Sequence, residues 1–138
     1  MAAIVFNVSK NAPAITDLRI LLVKGYTPDP DHATVAAILA SDGCDECAFT
    51  NYARKTLADE AFTVDNVNDR GKLDATDPAT WEDAGGVADE LISHAIVFQY
   101  VDADDANNIP ISCHSVGKTT NGGDLTLTFH ADGILYTS

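Results

Sequence analysis

Short hydrophobic stretches separated by turn sequences make up most of this chain. Residues 95–101 (AIVFQYV) are apolar and rich in β-branched and aromatic side chains, and residues 125–129 (LTLTF) alternate apolar and polar positions. This period of two predicts a half-buried β-strand, because successive side chains of a strand point to opposite faces. Between them, residues 119–124 (TTNGGD) favour a tight reversal, since Asn and Gly tolerate a positive φ. The C-terminal third is therefore predicted to consist of hairpins.

The N-terminal half predicts further strands and one helix. Residues 3–8 and 17–26 are apolar runs, and the second run carries apolar side chains on both faces, as in a strand that is covered on both sides. Asp31 is a candidate N-cap for a helix over residues 32–40 (HATVAAILA). The apolar face of that helix is spaced at i, i+3 and i+4 and comprises Val35, Ile38 and Leu39.

These elements predict a single domain, residues 1–138, that is mainly β. We expect an antiparallel β-sandwich or barrel-like domain with one short α-helix at about residues 32–40, because turn sequences recur at intervals of roughly 8–12 residues. Residues 1–10 are predicted to form either an N-terminal arm or an edge strand. The predicted core comprises Ile4, Phe6, Leu18, Ile20, Leu22, Val35, Ile38, Leu39, Trp81, Val97, Leu125, Leu127 and Phe129.

The chain is strongly acidic, with 21 Asp and Glu against 8 Lys and Arg and a formal net charge of −13. Because contacts to phosphates need clustered Lys and Arg, this balance argues against nucleic-acid binding. No apolar run approaches the roughly 20 residues that span a bilayer, and the N-terminus lacks the basic and apolar regions of a signal peptide. We therefore expect no membrane partner and a protein that is made and retained in a cytosol, or assembled there into something larger.

Three cysteines and one adjacent histidine are the candidates for metal binding. The spacing of Cys44 and Cys47 suits a zinc knuckle, and Cys113 with His114 would complete a set of four ligands. Adjacent residues on a strand point to opposite faces, however, so this second pair is poorly arranged for one metal ion. Free thiols are the default expectation, with a disulfide and a zinc site as the alternatives, and no cofactor is predicted.

Other patterns that resemble sites lack parts that the chemistry needs. The acidic stretch 102–107 (DADDAN) has neither the glycine at position six nor the downstream glutamate of a calcium-binding loop, and is interpreted as a surface turn. Ser112 and His114 are expected to diverge as neighbours on a strand, and so give no indication of a catalytic dyad. No catalytic residue is predicted, and the chain is not expected to be an enzyme.

Several segments, in the same order along most of the chain, resemble small virion structural proteins of tailed bacteriophages. These segments are MAAIVFNVSK at the start, NYARK at 51–55, NDR at 68–70, DP at 77–78 with TW at 80–81, IPI at 109–111, His114, NGGDLT at 121–126 and GIL at 133–135. They are turn and core features, so the resemblance carries over no catalytic residue.

This resemblance implies a capsid decoration or cement protein. Such a protein would bind the major capsid protein on the exterior of the shell as a homo-oligomer, with a trimer favoured, after assembly in the host cytoplasm. The candidate partner-binding residues lie in the N-terminal segment and are Ala3, Ile4, Val5 and Phe6.

The alternative is a tail, neck or fibre-associated β-module that binds a host receptor or a carbohydrate. Aromatic side chains exposed on one face would favour this interpretation, and buried ones would count against it. The candidates are Tyr26, Phe49, Tyr52, Trp81 and Tyr136.

Overall fold

A computed structural model describes residues 4–5, 17–57, 61–65, 70–74, 79–84, 91–127 and 135–137. Within these residues the protein is mainly β, with antiparallel sheets and one short helix, which confirms the predicted fold class; the strands do not close into a barrel. The elements are β1 (Ile4–Val5), β2 (Leu18–Lys24), α1 (Val35–Leu39), β3 (Asp45–Glu46), β4 (Lys55–Thr56), β5 (Ala61–Asp65), β6 (Arg70–Asp74), β7 (Ala79–Trp81), β8 (Leu91–Gln99), β9 (Ile109–Thr119), β10 (Leu125–Leu127) and β11 (Leu135–Thr137).

A six-stranded antiparallel sheet forms the centre of the protein. Its strands follow the order β1-β9-β8-β2-β3, and β4 also pairs with β2. The register of the middle strands places Leu22 opposite Ala95 and Ile96 opposite Cys113. Two smaller antiparallel sheets consist of β10 with β7 and of β11, β6 and β5.

Both faces of the central sheet are covered, as the pattern of β2 predicts. On one face, the even-numbered apolar side chains of β2, such as Leu22, pack in a buried cluster with Trp81 and Leu125 of the β7–β10 ribbon. On the other face, Leu21 packs in a second buried cluster with Ile38 of α1. We call these the ribbon face and the helix face. This double burial explains why β2 lacks the apolar-polar alternation of a half-exposed strand.

The helix is shorter than predicted. It spans Val35–Leu39 rather than residues 32–40, and its N-cap is Thr34 rather than Asp31. The side-chain oxygen of Thr34 accepts a hydrogen bond from the backbone N–H of Ala37 at 3.1 Å, which satisfies a donor of the first turn that has no partner within the helix. Threonine at this position therefore begins the helix three residues later than an Asp31 cap would.

The predicted core is largely confirmed within the described residues. Leu39 and Leu127 are only partly buried and pack against the outside of the two clusters, whereas the side chains of Ile4, Phe6 and Phe129 lie outside the described residues. The predicted core residues that are buried are Leu18, Ile20, Leu22, Val35, Ile38, Trp81, Val97 and Leu125.

Gly25 directly follows β2, and its backbone lies close to that of Gly43, which shortly precedes β3. A Cβ atom on Gly25, whose φ is +68°, would lie 2.2 Å from the carbonyl oxygen of Gly43. We expect Gly25→Ala to lower the free energy of unfolding by about 2 kcal/mol in urea melts, through the positive φ and the displaced backbone. The matched control is Gly43→Ala, where φ is +79° but the nearest atom lies at an ordinary 3.5 Å, so about 1 kcal/mol is expected. Equal losses would contradict the close approach.

Candidate functional site

The three cysteines are buried free thiols that the fold divides between the two faces of the sheet. Cys44 and Cys113 belong to the cluster on the helix face, whereas Cys47 belongs to the cluster on the ribbon face. Burial raises the pKa of Cys113 to about 12 and also raises the pKa of Cys44. The thiolate form, which binds metals and reacts as a nucleophile, is therefore disfavoured at both positions.

The fourth candidate ligand, His114, also points away from Cys113. Cys113 pairs in register with Ile96 of the helix face, and His114 pairs with Ala95 of the ribbon face. Within the part of the chain that the structure describes, no group of three or more His, Cys, Asp or Glu side chains is placed to hold a metal ion. The structure thus does not bring the four candidate ligands together.

This separation predicts that folding does not depend on zinc. We expect a metal chelator to leave the melting temperature unchanged, because a structural zinc would have to bind side chains that the sheet holds apart. Thermal melts with and without chelator measure the effect, and elemental analysis of the purified protein provides the control. About one zinc per chain, together with a lower melting temperature after chelation, would contradict this prediction.

Ser112 and His114 do not diverge as the sequence interpretation expects. They are two residues apart on β9, so strand alternation places them on the same face, and Ser112 Oγ lies 2.9 Å from His114 Nε2. Ser112 is fully buried, with 0% exposure, and burial lowers the pKa of His114 to about 4. A substrate cannot reach a fully buried hydroxyl, so the contact between Ser112 and His114 is interpreted as structural.

Tyr26 forms a second polar cluster, on the helix face, that sequence reasoning missed. Its hydroxyl lies 2.8 Å from His32 Nδ1, and its ring stacks on His32 and contacts the edge of His94. Burial raises the pKa of Tyr26 to about 12, so its hydroxyl remains protonated at neutral pH. The cluster holds the segment that leads into α1; sequence spacing gave no indication of it because His94 comes from a distant strand.

An extended network of ion pairs and hydrogen bonds surrounds Arg54. The guanidinium donates to both carboxylate oxygens of Glu46 at 2.9 Å, and to those of Asp105 at 2.7 and 2.9 Å. Glu46 also accepts a hydrogen bond from the hydroxyl of Tyr52 at 2.5 Å, and that hydroxyl accepts one from the backbone N–H of Leu22. One cation thus joins β3, the segment before β4 and the loop between β8 and β9.

This loop also carries the first turn of the helix. The backbone N–H of Ala36 donates to the carbonyl of Asp105, and that of Val35 donates to the carbonyl of Asn108, both at 3.0 Å. The side chain of Asn108 donates to Asp105 and accepts from the backbone N–H of Val101. Because Asp105 contacts both Arg54 and α1, the network fixes the acidic loop against the helix.

The loop that carries Asp105 also exposes acidic side chains. Asp102 and Asp104 accept hydrogen bonds from backbone N–H groups two residues further on, as expected for the turn that the sequence predicts here. The exposed aspartates of this loop and of residues 29–45 are Asp29, Asp31, Asp42, Asp45, Asp102 and Asp104.

The aromatic side chains that a carbohydrate site would need are mostly buried. Tyr26 is 4% exposed, Phe49 is 5% exposed and Trp81 is 0% exposed, while Tyr52 is partly buried and the side chain of Tyr136 lies outside the described residues. A small polar cavity of about 210 Å³ lies between Ala84 and residues 118–126, and hydroxyl, amide and charged side chains line it. Within the described aromatics, none is placed to stack on a sugar in that cavity.

Comparisons with known proteins identify no relative of this chain. No family model, no curated protein and no solved structure matches this chain. Within the described residues, no helix is long and apolar enough to cross a membrane.

Proposed function

We propose that this protein is a non-enzymatic structural protein of a bacteriophage virion. In this proposal it decorates the exterior of the capsid, binds the major capsid protein and assembles as a closed cyclic homo-oligomer, for which we propose a trimer. The resemblance of the chain to small virion proteins of tailed bacteriophages supports the assignment to a virion. No homologue or family match adds to that support.

The burial of the candidate nucleophiles is the observation that supports a non-enzymatic role. Ser112, Cys44, Cys47 and Cys113 are all at most 5% exposed, and each is packed within the central sheet or its two clusters. A nucleophile must reach its substrate, and a buried thiol with a raised pKa is mostly uncharged.

The candidate docking segment lies at the outer edge of the sheet. Strand β1 pairs with β9 of the same chain, with Ile4 opposite Cys113 and Val5 opposite Ser112. The pairing of these two residues supports the edge-strand alternative, and Ala3 and Phe6 lie outside the described residues. An edge position supports docking, because strand edges are where another chain adds by backbone hydrogen bonding.

The tail, neck or fibre-associated binding module is a second proposal with a narrower basis. The polar cavity beside residues 118–126 favours it, because hydroxyl, amide and carboxylate groups suit a sugar. The burial of Tyr26, Phe49 and Trp81 counts against it, since these rings offer no stacking surface.

Counting the copies of this protein in purified virions tests both proposals. We expect quantitative mass spectrometry to find a copy number in a fixed ratio to the major capsid protein, and electron microscopy to place the protein on the shell in symmetric clusters. A few copies confined to the tail would favour the second proposal, and binding to a glycan array would strengthen it. Virions that contain no copies would overturn both.

A further inference from the structure

The polar cavity of about 210 Å³ lies where the β7–β10 ribbon meets the end of β9. Three of the residues that line it are buried, namely Ala84, Thr120 and Leu125. Its other lining residues are exposed, and they include Lys118 and Asp124. The cavity therefore has a buried base, and charged groups at its mouth can reach a ligand from solvent.

Hydrogen bonds within the protein hold one wall of this cavity in place. The backbone N–H of Ala84 donates to the carbonyl of Gly123 at 2.9 Å, and the backbone N–H of Gly122 donates to the carbonyl of Ala84 at 2.6 Å. Asp124 Oδ1 accepts a hydrogen bond from the backbone N–H of Asp83 at 3.0 Å. Because these bonds form without a ligand, little ordering of the wall is needed when a ligand binds.

Two side chains of the cavity are available to donate hydrogen bonds. Lys118 carries the one positive charge among the lining residues, and within the described part of the chain its ammonium group forms no ion pair. Asn121 Oδ1 accepts from the backbone N–H of Gly123 at 3.0 Å, which leaves the amide NH₂ group of Asn121 as a donor. A charged donor beside an amide donor favours a ligand with an anionic oxygen.

The carboxylate of Asp124 makes a bare anion a poor ligand for the same cavity. Its Oδ1 bonds Asp83, while its Oδ2 repels negative charge and is an acceptor for a hydroxyl group. The hydroxyls of Thr119 and Thr126 also line the cavity, and a hydroxyl can donate or accept. The lining thus combines donors for a carboxylate with acceptors for hydroxyls, and a sugar that carries a carboxylate presents both groups.

We propose that this cavity binds a uronic acid, with Lys118 and Asn121 donating to the sugar carboxylate and Asp124 accepting from a sugar hydroxyl. The inference rests on the second proposal, the carbohydrate-binding module, and names the class of sugar that the module recognises. The volume of about 210 Å³ lies below the roughly 300–1,000 Å³ of pockets for drug-sized ligands, so it suits a single sugar residue.

NMR titration with methyl glucuronoside and methyl glucoside tests the site, because these sugars differ only in the carboxylate. We expect the glucuronoside to shift the amide signals of Ala84 and residues 118–126 with a dissociation constant of about 1 mM, since polar contacts alone hold it. The glucoside and acetate each lack one of the two groups that the lining recognises, so each should bind at least about tenfold more weakly. Equal affinity for the glucuronoside and either of these probes would overturn the proposal.

Lys118→Met and Lys24→Met form a matched pair of variants. Each removes one positive charge from the central sheet, but Lys24 does not line the cavity. We expect Lys118→Met to weaken binding of the glucuronoside at least about tenfold and Lys24→Met to change it less than about twofold. Equal weakening in both variants would reveal a general effect of charge and would overturn the assignment to Lys118.

The inference and the second proposal fail in different ways. Shifts at the cavity with the glucoside as strong as those with the glucuronoside would overturn the uronic acid and keep the carbohydrate-binding module. Shifts with the glucuronoside that lie elsewhere on the protein would overturn the cavity as the site. If neither sugar causes shifts at up to about 50 mM, the inference is wrong, and binding on a glycan array then decides whether the module binds carbohydrate at another site.

Discussion

Trp81→Ala is expected to lower the free energy of unfolding by about 3–5 kcal/mol. Trp81 is fully buried in the cluster on the ribbon face, so the truncation removes the largest side chain of that core and leaves a cavity. It also removes the indole N–H that donates to the carbonyl of Ala53 at 2.7 Å. Because domains of this size are stable by only about 5–15 kcal/mol, a large fraction of the folding free energy would be lost.

Urea denaturation followed by circular dichroism measures this loss. Tryptophan fluorescence cannot follow it, since the chain contains a single tryptophan. Trp81→Phe is the control, because it keeps an aromatic ring in the core and removes the hydrogen bond to Ala53, for an expected loss of about 1–2 kcal/mol. A loss below about 1 kcal/mol for Trp81→Ala would mean that the β7–β10 ribbon does not seal this face.

The sequence correctly predicts the elements that depend on the local pattern of apolar and polar residues. The run over β2 has apolar residues at every buried position, which indicates a strand covered on both faces, and its two clusters confirm this. The interpretation of Ser112 and His114 was wrong although the information was local. Residues two apart on a strand share a face, so the contact between these side chains was predictable from their spacing alone.

The Arg54 network and the true start of the helix were not predictable in this way. Arg54 lies 51 residues from Asp105 in the chain, and no periodicity relates the two positions. The same loop fixes the first turn of α1 through backbone carbonyls, which any residue type provides. The sequence shows an Arg and several acidic residues; only the tertiary arrangement determines which carboxylates the Arg binds.

Arg54→Met is expected to lower the free energy of unfolding by about 2–4 kcal/mol, because hydrogen bonds to charged groups contribute about 1.5–3 kcal/mol each and Arg54 makes several. The variant keeps the length of the side chain and removes the charge between two carboxylates. Glu46 and Asp105, whose side chains are 25% and 24% exposed, would then face each other without a cation. Their partial exposure places the loss below that of a fully buried ion pair, which reaches about 3–5 kcal/mol.

Arg19→Met is the matched control in urea melts. Arg19 is 32% exposed, pairs with Asp17 two residues away and lies over the ring of Tyr100, so a loss below about 1 kcal/mol is expected. Equal losses for Arg19→Met and Arg54→Met would contradict the assignment of a central role to the Arg54 network.

The pH dependence of stability separates the contribution of the Arg54 network from that of the buried His114. Hydrogen bonds from Arg54 lower the pKa of Asp105 below its ordinary value of 3.8, so their contribution to stability is present above pH 3.8 and is lost as the pH falls below it. Burial lowers the pKa of His114 from 6.5 to about 4, so its contribution to stability is lost at higher pH, as the pH falls from 6.5 towards 4. We therefore expect Arg54→Met to flatten the stability profile below pH 3.8 and His114→Gln to flatten it above pH 4. If Arg54→Met left the profile below pH 3.8 unchanged, the ion pair with Asp105 would not contribute to folding.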